Sequence, residues 1–291
     1  MSAVGTPTLA SIHRYPLKSA RGERLAESSV EPWGLEGDRR WMVVDPDGLA
    51  VTAREVHPLL LLRPEITAAG LRIEAPGCDP LEVATPDPAR QVPVRLWRSE
   101  LTAAHAGEAD AWLNRVLGRP VRLVHLDDPT RRPVSAEYAA PDDRVSLADG
   151  YPLLVTTRAS LDALNDQVLE RSGGAHDPLP MERFRPNVVV DGVGAWAEDD
   201  WRRVRIGGVD FRAVKGCARC VITTLDPDTA EGGKEPIASL ARIRRWDGAT
   251  WFGTNLVPDL PDGRPVTIRE GDEVEVLEAV EPGAGPIRPV R

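Results

Sequence analysis

Residues 41–48 read Trp41-Met42-Val43-Val44-Asp45-Pro46-Asp47-Gly48, four apolar residues set against four turn formers. That order encodes a short β-strand closed by a hairpin turn, because Asp, Pro and Gly supply the backbone angles that a tight reversal needs. The alternation repeats outward. Apolar stretches at 71–73, 81–83, 92–97 and 121–123 sit between turn signals, with one helical spacing at 107–117. The segment 7–128 is therefore expected to be mostly β.

A polar stretch from Asp127 to Asp143 holds few bulky apolar residues and reads as a linker. The pattern restarts beyond it. Strands are expected at 153–155, 187–190, 204–206, 209–214, 221–225, 266–268 and 274–277. Helical spacing appears at Leu161, Leu164 and Val168 and again near 237–243. The expected class is mainly β with some α, an α+β chain in two domains, 7–128 and 140–279, the second a barrel or sandwich with flanking helices. Residues 280–291, rich in Pro and Gly, are expected to be disordered.

Composition excludes several classes. The 291 residues carry a formal charge of −9 and no block of Lys and Arg, which argues against nucleic acid as a partner. Three Cys cannot staple a chain of this size, and the first residues lack the apolar core of a signal peptide, so a reducing cytoplasm is the expected location. No apolar run approaches the roughly 20 residues that span a bilayer, so no membrane association is expected.

The most chemically loaded stretch is Lys215-Gly216-Cys217-Ala218-Arg219-Cys220-Val221-Ile222-Thr223-Thr224. Four readings compete. A redox dithiol wants its first cysteine at a helix N-terminus, whereas this pair runs into a strand signal. Half a zinc site needs two further ligands, and only Cys78 and scattered histidines remain. Two buried cysteines acting as small hydrophobes is the plain reading. In the fourth, Cys220 is a single thiolate ligand to a soft or high-valent metal, with Arg219 and Lys215 beside it to lower its pKa and neutralise an anionic cofactor. The local residues alone leave these open.

Wider motifs carry a resemblance. Phe184-Arg185-Pro186-Asn187-Val188-Val189-Val190, then Glu198 and Trp201, Cys217 to Thr224, Asp226-Pro227, Glu235-Pro236, Phe252-Gly253 and Gly271-Asp272-Glu273-Val274 resemble a MOSC domain. Tyr15-Pro16-Leu17-Lys18-Ser19, Gly37-Asp38-Arg39-Arg40-Trp41 and Thr52-Ala53-Arg54 resemble the β-barrel domain that precedes MOSC in the mitochondrial amidoxime reducing component and its bacterial relatives. The two matches run from about His13 to about Leu277.

The resemblance implies an N-terminal MOSC β-barrel domain plus a MOSC β-barrel domain, and a molybdenum cofactor (Mo-molybdopterin) whose metal takes one protein thiolate, Cys220. It implies that Lys18, Ser19, Arg39, Asp149, Gly150, Arg185, Asn187, Ala218, Arg219 and Asn255 hold the cofactor. Arg39 is preferred to Arg40 because strand alternation points only one of them at a given face. Ala218 stands where many relatives have a hydroxyl. The implied function is reduction of N-hydroxylated small molecules, with electrons from a separate ferredoxin-like or cytochrome-like protein, since no further cysteine cluster follows. The alternative is a non-catalytic carrier of the cofactor, or of sulfur, on Cys220.

Overall fold

The computed structural model describes residues 6–288. Its largest sheet has nine strands. In spatial order they are Val274–Ala279, Trp201–Ile206, Val209–Ala218, Ala249–Asp259, Leu153–Thr157, Val188–Asp191, Thr8–Arg14 and Glu23–Leu25, with Arg245–Trp246 paired onto Ala249–Asp259. Neighbours are antiparallel except Leu153–Thr157 and Val188–Asp191. That parallel pair needs a crossover. The helix Arg158–Ser172 supplies it, started by Ser160 N donating to Thr157 Oγ1 at 3.1 Å and ended by Gly173 at φ 61.

A four-stranded sheet runs Trp41–Val44, Arg122–His125, Ser99–His105, Gln91–Leu96. Three-stranded sheets join Val266–Arg269, Glu27–Glu31 and Gly34–Leu35, and Arg63–Ile66, Gly70–Ala75 and Cys78–Ala84. The chain is α+β and mostly strand. Its two halves share sheets and cores. Thr8–Arg14 pairs with Val188–Asp191, and Val266–Arg269 pairs with Glu27–Glu31. Leu9, Ile12 and Val30 pack with Val155, Val190 and Phe211, while Leu225 and Ala230 join the first half's core around Leu59, Leu71 and Leu123.

Four expectations are corrected. Residues 221–225 are not a strand: Val221–Thr224 is a 3-10 turn, because Thr223 Oγ1 donates to the Cys220 carbonyl (2.9 Å) and Thr224 Oγ1 to the Val221 carbonyl (2.8 Å), satisfying locally what a ladder would otherwise bond. The argument from a following strand against a redox dithiol therefore falls. Ala249–Asp259, absent from the expected strands, is the eleven-residue centre of the large sheet. Its Gly253 sits at φ 78, where an added Cβ would come within 2.7 Å of the Val155 carbonyl oxygen.

The 127–143 linker is folded: Arg132 is buried and donates to the Ser146 and Ala148 carbonyls, and Val134 packs on Val145. The tail is docked as far as residue 288, for Gly216 N donates to the Ile287 carbonyl (2.9 Å), Ile287 packs on the second core and Arg288 pairs with Asp247 (2.9 Å). These contacts hold it despite its Pro and Gly. Residues 289–291 lie outside the described residues.

Glu198 ties the helix Arg158–Ser172 to the large sheet. Fully buried, it accepts from Ser160 Oγ (2.8 Å) and Thr157 Oγ1 (3.1 Å), and its carbonyl accepts from Thr254 Oγ1 (2.9 Å). Burial first, and the neighbouring Asp199 second, raise its carboxyl from 4.5 to about 7. A carboxyl raised on folding favours the fold while protonated, and that advantage disappears as pH climbs from its unfolded to its folded value. Glu198→Gln is thus expected to gain stability relative to the natural chain as pH goes from 5 to 8. Thermal unfolding at the two pH values checks this, and parallel curves would contradict it.

Candidate functional site: a cationic cavity holding two thiols

The loop after Thr8–Arg14, the turn before Trp41–Val44, residues 148–150, the turn before Val188–Asp191 and the end of Val209–Ala218 converge on a cavity of about 510 Å³. All eleven residues expected at the site line it: Lys18, Ser19, Arg39, Asp149, Gly150, Arg185, Asn187, Ala218, Arg219, Cys220 and Asn255. Arg54, Arg98 and Lys215 also line it, so seven cations face two carboxylates, Glu137 and Asp149. A wider depression of about 790 Å³, between residues 45–58 and 117–120, brings together neither a cation cluster nor a thiol.

On one wall Lys18 Nζ donates to Asp149 Oδ1 (2.6 Å) and the Leu147 carbonyl (2.9 Å), and Arg54 donates to Asp149 Oδ2 (2.7 Å). Burial lowers Lys18 to about 8, with Asp149 opposing. Burial also works against ionisation of Asp149, but Lys18 and Arg54 overcome it and hold the carboxyl well below its usual range. Asp149 is therefore an ionised clamp that keeps two cations at the wall.

Another part of the lining is built on Tyr15, with the Arg39 and Arg185 guanidinium carbons each 4.3 Å from its ring centroid. Arg39 donates to Asp38 (2.7 Å), to Asn187 Oδ1 (3.0 Å) and to the Arg185 carbonyl (3.3 Å); Arg185 donates to the Ala20 carbonyl (2.6 Å). Asn187 also accepts from Leu154 N and donates to the His13 carbonyl, so its amide orients Arg39 and the strand. Arg40 turns away to the Leu126 and Asp127 carbonyls. Ser19, Arg39 and Arg185 hold φ of 69, 47 and 56. Left-handed backbone at three non-glycine residues of one cavity is the kind of strain that binding sites retain.

Both thiols, Cys217 and Cys220, line the same cavity. Arg219 Nη1 donates to Cys217 Sγ (2.8 Å) and Nη2 to the Phe184 carbonyl (2.6 Å), so the arginine expected beside Cys220 is bonded to Cys217 instead. Burial pushes the Cys217 thiol up, with Arg219 opposing. The cation that faces Cys220 is Arg54, raised by Asp149 and Cys220 against the effect of burial. Lys215 stands 4.4 Å over the Tyr138 ring, and Asn255 Nδ2 donates to the Lys215 and Gly216 carbonyls. Among the described residues no three His, Cys, Asp or Glu form a metal-binding group.

The descriptions "MOSC N-terminal beta barrel domain" and "MOSC domain" match residues 6–120 and 142–275. The chain is 31% identical over 290 residues to the mitochondrial amidoxime-reducing component 1 of Homo sapiens, covering 93% of this chain and 83% of that one. The Mus musculus protein of the same name is 32% identical, at 93% and 82%. The chain belongs to the MOSC family. A third relative, the molybdenum cofactor sulfurase of Oryza sativa subsp. japonica, is 30% identical over 96% of this chain but only 36% of its own length. With MOSC membership comes the molybdenum cofactor as the bound group.

The cavity fits such a group on its own chemistry. Arg219 Nε is buried with no partner, a donor left over in the wall. One cysteine offered to a metal is enough when the cofactor brings its own sulfurs, and the cation excess suits a phosphate-bearing pterin. Sequence reasoning missed Arg54, Arg98 and Tyr138 as members of this MOSC cavity. For Arg54 the signal was present in Thr52-Ala53-Arg54.

Proposed function

We propose that this chain is a molybdenum-dependent oxidoreductase that reduces N-hydroxylated small molecules, taking electrons from a separate ferredoxin-like or cytochrome-like protein. The observation that carries the reading is the meeting of Cys220 with seven cations in one cavity, in a chain 31% identical to a protein named for amidoxime reduction. When bound, the molybdenum cofactor supplies two-electron redox chemistry. Cys220 offers the metal a permanent thiolate ligand and is not a nucleophile. Lys18, Arg39, Arg185 and Arg219 bind the phosphate and pterin edges, the arginines as planar forks and Lys18 as a point charge. Asp149, kept ionised by Lys18 and Arg54, accepts hydrogen bonds and is not the proton donor at neutral pH.

A location in the cytoplasm suits three free thiols, Cys78, Cys217 and Cys220. The animal relatives carry "mitochondrial" in their names. No helix among the described residues is long and apolar enough to cross a membrane. Protein purified from a molybdenum-replete host is expected to reduce benzamidoxime with a reduced viologen as donor, and not with NADH alone. Metal-loaded protein without turnover would overturn the reductase reading in favour of a carrier.

A further inference from the structure

Strands Gln91–Leu96 and Ser99–His105 pair with Leu96 opposite Ser99, so Trp97 and Arg98 are the whole of a two-residue hairpin loop. Trp97 has φ 56, at the first loop position, which such turns usually give to glycine. A bulky side chain there carries a steric cost. The indole is also 48% exposed, so core packing does not compensate for that cost.

Cations fix the ring. Arg54 lies 4.5 Å and Lys18 5.9 Å from its centroid, and both are held by Asp149 on the cavity wall. Arg98, next in the chain, lines the same cavity. The indole does not line the cavity itself but rests against two cations of its wall, with about half its surface open. The two cations draw electron density from the ring, which disfavours a further cation and favours offset stacking by an uncharged ring on the exposed surface.

We propose that Trp97 is a substrate seat that selects flat, uncharged aromatic or heteroaromatic N-hydroxylated compounds over aliphatic ones. This rests on the reductase reading and names its substrate class. Trp97→Gly suits the left-handed loop position, so the variant is expected to fold with an unfolding midpoint at or above that of the natural chain. The test compares benzamidoxime with acetamidoxime, which carry the same reacting group, in steady-state reduction by the purified holoenzyme, with benzamidoxime binding followed by calorimetry. The ratio of kcat/KM for benzamidoxime over acetamidoxime is expected to fall about three- to tenfold in Trp97→Gly, through KM, and to be largely kept in Trp97→Phe. An unchanged ratio would overturn the seat. If the natural chain reduces neither compound, the reductase reading fails. Calorimetry then decides the seat alone: benzamidoxime affinity lost in Trp97→Gly supports it, and equal affinity overturns it.

Discussion

Cys220→Ser protein from a molybdenum-replete host is expected to retain less than about a tenth of the natural chain's molybdenum and to lose benzamidoxime reduction. A thiolate is a soft donor that forms near neutral pH, whereas a serine hydroxyl stays protonated and offers a hard, weak oxygen. The other thiol lining the cavity is Cys217, so that sulfur is the one to be tested beside it. Cys217→Ser is the internal control. Cys217 Sγ accepts from Arg219 Nη1, and serine keeps an acceptor there, so its metal loss is expected to stay within about twofold. Metal analysis of the two purified variants decides. Full metal in Cys220→Ser, or an empty Cys217→Ser, would assign the ligand to the wrong sulfur.

The sequence made the site more legible than the fold around it, and for a physical reason. Site residues sit in turns whose motifs are local, such as Tyr15 to Ser19 and Cys217 to Cys220, so their identities survive without knowledge of packing. Ala249–Asp259 was hidden because Gly253, Asn255 and Pro258 break its apolar run, yet it pairs on both sides and is almost wholly buried. Thr223 and Thr224 read as β formers but use their hydroxyls on the chain just before them. Arg39 was chosen over Arg40 by strand alternation, whereas it points into the cavity from a left-handed turn that precedes the strand. Arg54 stood in a legible motif without a role, whereas the setting of Trp97 arises only when a hairpin tip is brought onto Arg54 and Lys18 beside Asp149.

The second large effect concerns Arg39. Its guanidinium joins Asp38, fully buried, to Asn187 and the Arg185 carbonyl, so it holds together the loop, the turn and the strand that form one wall of the cavity. Removing one partner of a buried ion pair leaves the other charge desolvated and costs about 3–5 kcal/mol. Arg39→Ala is therefore expected to lower the unfolding midpoint by roughly 6 °C or more for a chain of this size. Asp38 Oδ1 also accepts from Tyr15 N (2.9 Å), a bond that an asparagine oxygen can keep. The double variant Asp38→Asn with Arg39→Ala removes the stranded charge without losing that bond, and should recover part of the loss, a coupling read directly from the double-mutant cycle. Metal content separates structure from binding: if the double variant regains stability yet stays poor in molybdenum, Arg39 holds the cofactor as well as the wall. Additive stability losses would mean that the pair is not coupled, and recovery of both stability and metal would limit Arg39 to a structural role.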